Sequence, residues 1–362
     1  MRKSYVRIPV YTGDVSGFAS ALYELGGMLV IHDPSGCNST YNTHDEVRWY
    51  DKESLIFISG LNDIDAITGN DDKLINDTVS AAKRLNPRFI ALANSPIPYL
   101  NGTDFEGICR IIENRTGLPC FYVKTNAMHD YTVGASGAYL AFAKKFLKAG
   151  PDPDRGNIEA KASGANGKQL KRVNIIGVTP LDYTSTTIDV SGRYDVISNW
   201  SYGTDFDSIM RSPEADLNIV MSSCGLAVAK YMEKTFGIPY QTGNSYLELP
   251  RGKSRNYIVG EPVTSGIIAR KIKLEYGMDF NIVATTEITD GLLSEVDDAC
   301  HGEDMIKEKI ADGVRIIADP LYRVIAPPTA EFIELPHFAL SGRLYLKRIP
   351  NLFNLEEYYH ES

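Results

Sequence analysis

The chain has few cysteines, and none of them are paired in sequence. Cys37, Cys109, Cys120, Cys224 and Cys300 are scattered over 362 residues with no C-x-x-C among them. This spacing excludes a self-contained zinc or iron–sulfur motif. A disulfide framework is not expected in a chain of this size without a secretion signal. The six histidines (His32, His44, His129, His301, His337 and His360) never cluster, and H-E-x-x-H is absent, which removes the zincin arrangement. No run approaches the roughly 20 apolar residues of a membrane span. The first residues, MRKSYVRIPVYTGDVSG, lack the apolar core and cleavage site of a signal peptide. The expected compartment is the cytoplasm. Excess positive charge is also missing. A formal net charge of -9 argues against a nucleic-acid surface.

Nucleotide motifs are absent as well. Without G-x-x-x-x-G-K-[ST] the chain has no P-loop for ATP, and without G-x-G-x-x-G it has no fingerprint for NAD. IIGVTP and IVGEP carry one glycine each, and one glycine closes a turn without cradling phosphate. No G-x-S-x-G elbow supplies a serine nucleophile.

What is present is a repeated alternation of apolar strand and amphipathic helix. MLVIHD, SLIFIS, RFIALANS and LPCFYVKT read as buried strands. FASALYELGG, DDKLINDTVSAAKRLNP, DFEGICRIIENRTG and SGAYLAFAKKFLKAG read as the helices between them. Leu74, Val79 and Leu85 fall at helical spacing before Pro87, and Ile108, Ile111 and Ile112 are assigned to one face ahead of a Gly117 C-cap. Near-continuous apolar strands between helices imply parallel sheets covered on both faces. A stretch rich in Gly, Pro, Asp, Asn and Lys, residues 151–170, reads as a linker or surface loop. The alternation restarts at KRVNIIGV and again at SRNYIVGEP, with a helix expected near DDACHGEDMIKEKIADG. The predicted organisation is a first α/β domain over 1–150, a second over 171–250, a third over 251–350 and a tail over 351–362.

In open parallel sheets, chemistry gathers at the strand C-termini. His32 and Asp33, Asn94 and Ser95, Thr179, Ser222 and Ser223, and Glu261 stand at such ends. Each has a plainer reading as a helix cap. Cys37, directly after Pro-Ser-Gly, is the unusual thiol. A sharp turn rich in N–H groups suits a cluster sulfur, and an ordinary buried cysteine fits the same position.

Several segments together resemble the nitrogenase component 1 family, which includes nitrogenases and dark-operative protochlorophyllide reductases. IHDPSGC resembles the family's H-G-P-x-G-C element, with Asp33 in place of glycine. DIDAITGNDDKL resembles D-x-V-F-G-G-x-x-K-L. ANSPIPYLNGTDFEGI resembles the S-x-C-P segment, with Ser95 at the cysteine. LNIVMSSCGLAVAKYMEKTFGIPY, YIVGEP and FALSGRLYLKRI resemble later segments, the last including a closing glycine-containing helix. The resemblance implies three Rossmann-like α/β domains around a central cleft. It also implies an iron–sulfur cluster shared with a partner subunit, with Cys37 and Asp33 as this chain's metal ligands. Two of the three family cluster cysteines are missing, and Ser222 stands where a related subunit anchors its catalytic cofactor. Ser222, Glu261, Arg323 and His337 are the candidate cofactor-binding residues in the cleft, with Arg323 suited to an anionic group.

The function implied is a subunit of a two-component reductase, fed by a separate P-loop iron–sulfur ATPase and paired with a homologous cysteine-rich subunit or with itself. The alternative is a non-catalytic scaffold that binds a metallocofactor or a tetrapyrrole.

Overall fold

The computed structural model describes residues 5–36, 46–147, 170–183, 194–243 and 249–349. The interdomain stretch 151–169, the tail 351–362 and Cys37 itself lie outside them. Three all-parallel sheets follow one another along the chain.

The first unit contains α1 (Asp14–Leu22), β1 (Met28–His32), β2 (Leu55–Ile58), α2 (Asp63–Thr68), α3 (Asp72–Leu85), β3 (Ile90–Asn94), α4 (Pro96–Asn101), α5 (Phe105–Thr116), β4 (Cys120–Val123) and α6 (Tyr131–Phe146). Its strand order is β2-β1-β3-β4. β1 and β3 are buried along their whole length, as a sheet covered on both faces requires.

The second unit contains β5 (Lys171–Val178), β6 (Tyr194–Ser201), α7 (Phe206–Met210), β7 (Leu217–Val220), α8 (Leu226–Phe236) and β8 (Tyr240–Thr242), in the order β6-β5-β7-β8. The third contains β9 (Asn256–Gly260), α9 (Pro262–Tyr276), β10 (Asn281–Ala284), β11 (Asp298–Ala299), α10 (Glu303–Lys309), β12 (Arg315–Ala318), β13 (Glu331–Glu334) and α11 (Phe338–Ser341). Its order is β11-β10-β9-β12-β13. No helix among the described residues is long and apolar enough to cross a membrane.

Local chemistry explains most boundaries. Asp104 and Asp130 cap α5 and α6 by accepting the N–H groups of Gly107 and Thr132. Gly117 closes α5 in the left-handed region, at φ 72°, as the sequence indicates. α3 ends at Asn86, also left-handed, one residue before Pro87.

Some local readings are refined, and one strand, β13, was not foreseen. Leu85 and Ile111 are 42% and 44% exposed, because they fall on the outer sides of α3 and α5. Within DDACHGEDMIKEKIADG the expected helix is present from Glu303 to Lys309, and Asp298 and Ala299 ahead of it form strand β11. β13 joins the third sheet from a short stretch with little apolar signal. The closing helix breaks at Gly342 (φ 58°, ψ -139°) and continues as 3-10 turns through Arg348.

The three units share their cores. Phe18, Tyr139 and Phe142 of the first unit pack in one cluster with Trp200, Val228 and Met232 of the second. Val173 and Ile175 share another with Ile258, Ile268 and Ile282 of the third. Tyr11 and Tyr131 lie in the core of the third unit, beside Val259, Tyr322 and Phe338. This shared packing holds the loops that follow different sheets at one junction.

Candidate functional site

Two polar groupings form at strand C-termini. The first lies at the edge of β1 and β3, which are paired His32 to Asn94. Asp33 is fully buried, and its Oδ2 accepts the Ser35 N–H at 2.9 Å. Its Oδ1 has no partner among the described residues. Ser95, also fully buried, precedes α4 as its cap residue. Its hydroxyl neither caps the helix nor finds another partner among the described residues, and its N–H donates to the His32 carbonyl at 3.2 Å. His32 Nδ1 meets Ser59 Oγ at 2.7 Å, and burial lowers this imidazole to a pKa of about 4. Sealed, unpartnered oxygens are costly and uncommon in folded proteins, and here two of them directly follow the neighbouring strands β1 and β3.

The second grouping joins all three units. Asp182 follows β5 and is buried. Its Oδ1 accepts the Tyr131 hydroxyl, from the start of α6, and Nε2 of His337 at 3.1 Å. Its Oδ2 accepts the Thr179 hydroxyl at 3.0 Å. Tyr11 stands edge-on to the His337 ring, with centroids 5.7 Å apart, and donates to or accepts from Thr285 Oγ1 at 2.8 Å. Burial holds the Tyr131 phenol well above its ordinary value, with the Asp182 charge adding to the effect.

Glu261 belongs to the same neighbourhood. It caps α9 through Thr264 N–H at 2.7 Å, and it reaches into the second unit to accept Ser223 N–H at 2.8 Å. Its carboxyl is raised by desolvation and then by the charge of Asp182.

Of the residues singled out in the sequence, His337 is at this junction, and Glu261 stitches its second and third units together. Ser222 is fully buried and accepts a weak bond from the Cys224 thiol at 3.5 Å. Arg323 pairs with Glu334 at 2.8 Å and lies over the Phe332 ring, half exposed. Asp33 is at the β1–β3 edge, and Cys37 lies outside the described residues. Asp182 and Tyr131 were not singled out. Asp182 sits three residues past Thr179 at a strand end, which is a readable cue, whereas nothing local marks Tyr131.

The four described cysteines are all buried. Burial pushes the Cys224 thiol far up and Cys300 to about 11, and Cys120 is raised chiefly by its hydrogen bond with Cys109. Desolvation favours the neutral thiol at Cys224 and Cys300. Among the described residues no three His, Cys, Asp or Glu side chains group as a metal site. The junction, with Ser222 rather than a cysteine at the anchoring position, lacks the thiolate that would anchor a metal cluster there. The β1–β3 edge, with a sealed carboxylate oxygen lacking a partner, fits a hard or charged group.

The nitrogenase iron-molybdenum cofactor biosynthesis protein NifE of Clostridium pasteurianum is 26% identical over 216 residues, covering 58% of this chain and 44% of its own length. NifN of Rhodobacter capsulatus is 21% identical over 264 residues, 67% of this chain and 56% of its own. The chain thus spans about half the length of the curated relatives it matches. Nitrogenase Cp1 solved at pH 6.5 superposes with a TM-score of 0.62 over 100% of this chain and 96% of that one, at 14% identity, a likeness of fold. The family model for nitrogenase component 1 type oxidoreductases matches residues 24–249, well over half of the sequence, and the chain belongs to that family.

Proposed function

We propose that this chain is one subunit of a nitrogenase-like two-component reductase, with its electron-entry site at the C-terminal ends of β1 and β3. The observation carrying this reading is the pair of sealed, unpartnered oxygens, Asp33 Oδ1 and Ser95 Oγ, beside the turn that leads to Cys37. Asp33 and Cys37 would hold this chain's share of an iron–sulfur cluster, and a homologous cysteine-rich subunit would complete the ligand set. Such a cluster would supply one-electron transfer. The electrons would come from a separate P-loop iron–sulfur ATPase. This chain's residues position the carboxylate, exclude water at the strand ends and keep His32 uncharged nearby.

The test is anaerobic co-purification with the neighbouring-gene partner, followed by iron and acid-labile sulfide analysis of the wild-type complex and of Cys37→Ser and Asp33→Ala. Both variants are expected to lose cluster; iron content equal to wild type in both would overturn the assignment.

A second reading, a scaffold for metallocofactor assembly, is favoured by the curated relatives, which are cofactor biosynthesis proteins. It predicts a complex that carries a cofactor precursor, releases it to an acceptor protein and does not turn over reductant.

A further inference from the structure

We infer that residues 5–12 form a strap that closes the three-unit junction, that Glu303 is its clasp, and that the strap lifts as a unit while the three sheets stay folded. The inference concerns access to the junction and stands apart from the cluster assignment above.

The strap has neither helix nor strand of its own and runs over the third unit before the chain enters α1. Its backbone donors converge instead of pairing along a sheet. The N–H groups of Val6, Arg7 and Ile8 all donate to one atom, Glu303 Oε2, at 2.8, 2.7 and 3.1 Å. Pro9, next in line, has no N–H to offer. Successive amides turned to one side make an anion-binding hollow, and here a carboxylate of the protein fills it. Glu303 opens α10 and is 5% exposed, so little water competes for its bonds. From Val6 to Pro9 the backbone donors are therefore fastened through a single side chain.

The buried contacts are few. Val6 and Val10 are 85% and 60% exposed, whereas Ile8 and Tyr11 insert into the third unit's core. Tyr11 is the plug. Its hydroxyl meets Thr285 Oγ1 at 2.8 Å, and its ring centroid lies 5.7 Å from that of His337 and 6.0 Å from that of Tyr131. Directly after it the chain is pinned. Thr12 sends both its N–H and its hydroxyl to the Ala339 carbonyl, at 2.7 and 2.8 Å, and Asp14 N–H meets the His129 carbonyl at 3.0 Å. Segments with few buried apolar contacts open at the low end of a protein's local stabilities. The strap thus has a clasp at Glu303 and a pivot at Thr12, with the plug beside the pivot. Lifting it uncovers Thr285, Tyr131 and His337 without parting any strand of the three sheets.

Two measurements on the full chain test this. Hydrogen exchange read by mass spectrometry is expected to show residues 6–8 exchanging faster than β12. Glu303→Ala is expected to speed them at least about tenfold, with β12 and α6 unchanged. A Thr285→Cys thiol, placed under Tyr11, reports the opening through maleimide labelling of the peptide that contains residue 285. Its labelling rate is expected to rise by a similar factor when Glu303→Ala or Tyr11→Ala is added. It is expected to stay the same with Glu331→Ala, which removes an exposed ion pair with Arg315. Faster exchange at residues 6–8 without faster labelling at 285 overturns the inference, and so does unchanged exchange in Glu303→Ala. If Glu303→Ala does not fold, the wild type and Tyr11→Ala decide. Protection of residues 6–8 equal to that of β12, or labelling at 285 unmoved by Tyr11→Ala, then overturns it. Iron and sulfide analysis of the Cys37 and Asp33 variants is independent of these outcomes.

Discussion

Gly134 in α6 and Asp14 in α1 lie so close that a Cβ on the glycine would approach the aspartate's backbone, carbonyl oxygen included, to less than 3.0 Å. Gly17 faces the Tyr131 carbonyl in the same way. The two helices cross backbone to backbone, and this crossing sets where Tyr131 enters the junction. Gly134→Val should therefore cost on the order of 3 kcal/mol and loosen the Tyr131–Asp182 contact. Chemical denaturation of wild type and variant checks it; a loss under about 0.5 kcal/mol, no more than an ordinary surface change, would show that the crossing yields easily.

His32 makes stability depend on pH. Its folded value, about 4 against an ordinary 6.5, is depressed by burial. The contribution is therefore fully present above pH 6.5 and is lost as pH falls through that window toward 4. The full difference is on the order of 3 kcal/mol. His32→Asn removes this titration, so the gap in denaturation midpoint between wild type and variant should shrink steadily from pH 7 to pH 4. Parallel curves would refute the assignment.

Ser95 follows β3 with a sealed hydroxyl that has no partner among the described residues. A thiolate ligates iron far better than a hydroxyl. Ser95→Cys is thus expected to raise the iron and sulfide content of the anaerobic complex above wild type. No gain would place the bound group elsewhere along the strand ends.

Two ion pairs that look alike in sequence should behave differently. Arg251 and Asp297 meet at 2.8 Å with side chains 2% and 0% exposed. Arg251→Leu leaves a buried carboxylate without its cation and should cost about 3–5 kcal/mol. Arg88 and Asp207 meet at 2.7 Å with 51% and 74% exposure. Asp207→Asn there should cost less than about 1 kcal/mol. Comparable losses in thermal denaturation would contradict this ranking.

Much of the architecture is legible in the residues themselves. β1, β3, β5 and β7 are short apolar runs between polar turns, and two-sided burial leaves a parallel sheet little other pattern to show. The Gly117 cap reads from a single residue because only the left-handed region ends α5 there. β13 was not legible, since Glu331, Phe332, Ile333 and Glu334 gain their strand from pairing with β12. Asp298 and Ala299 likewise became strand through pairing with β10. The site shows the same division. Asp33, Ser95 and His337 stand on readable elements, while Tyr131 reads locally as an ordinary first helical residue.

By itself the sequence determined three runs of strand and helix, their order, and which polar residues end the strands. These follow from local periodicity and turn chemistry. Only the tertiary structure decided that Tyr131, Asp182 and His337, at |i−j| separations of 51 and 155, share one carboxylate. It also decided that Asp33 Oδ1 and Ser95 Oγ are sealed without partners among the described residues. Both outcomes depend on how closely helices and sheets approach one another, a sum over many distant packing contacts that no short stretch of residues encodes.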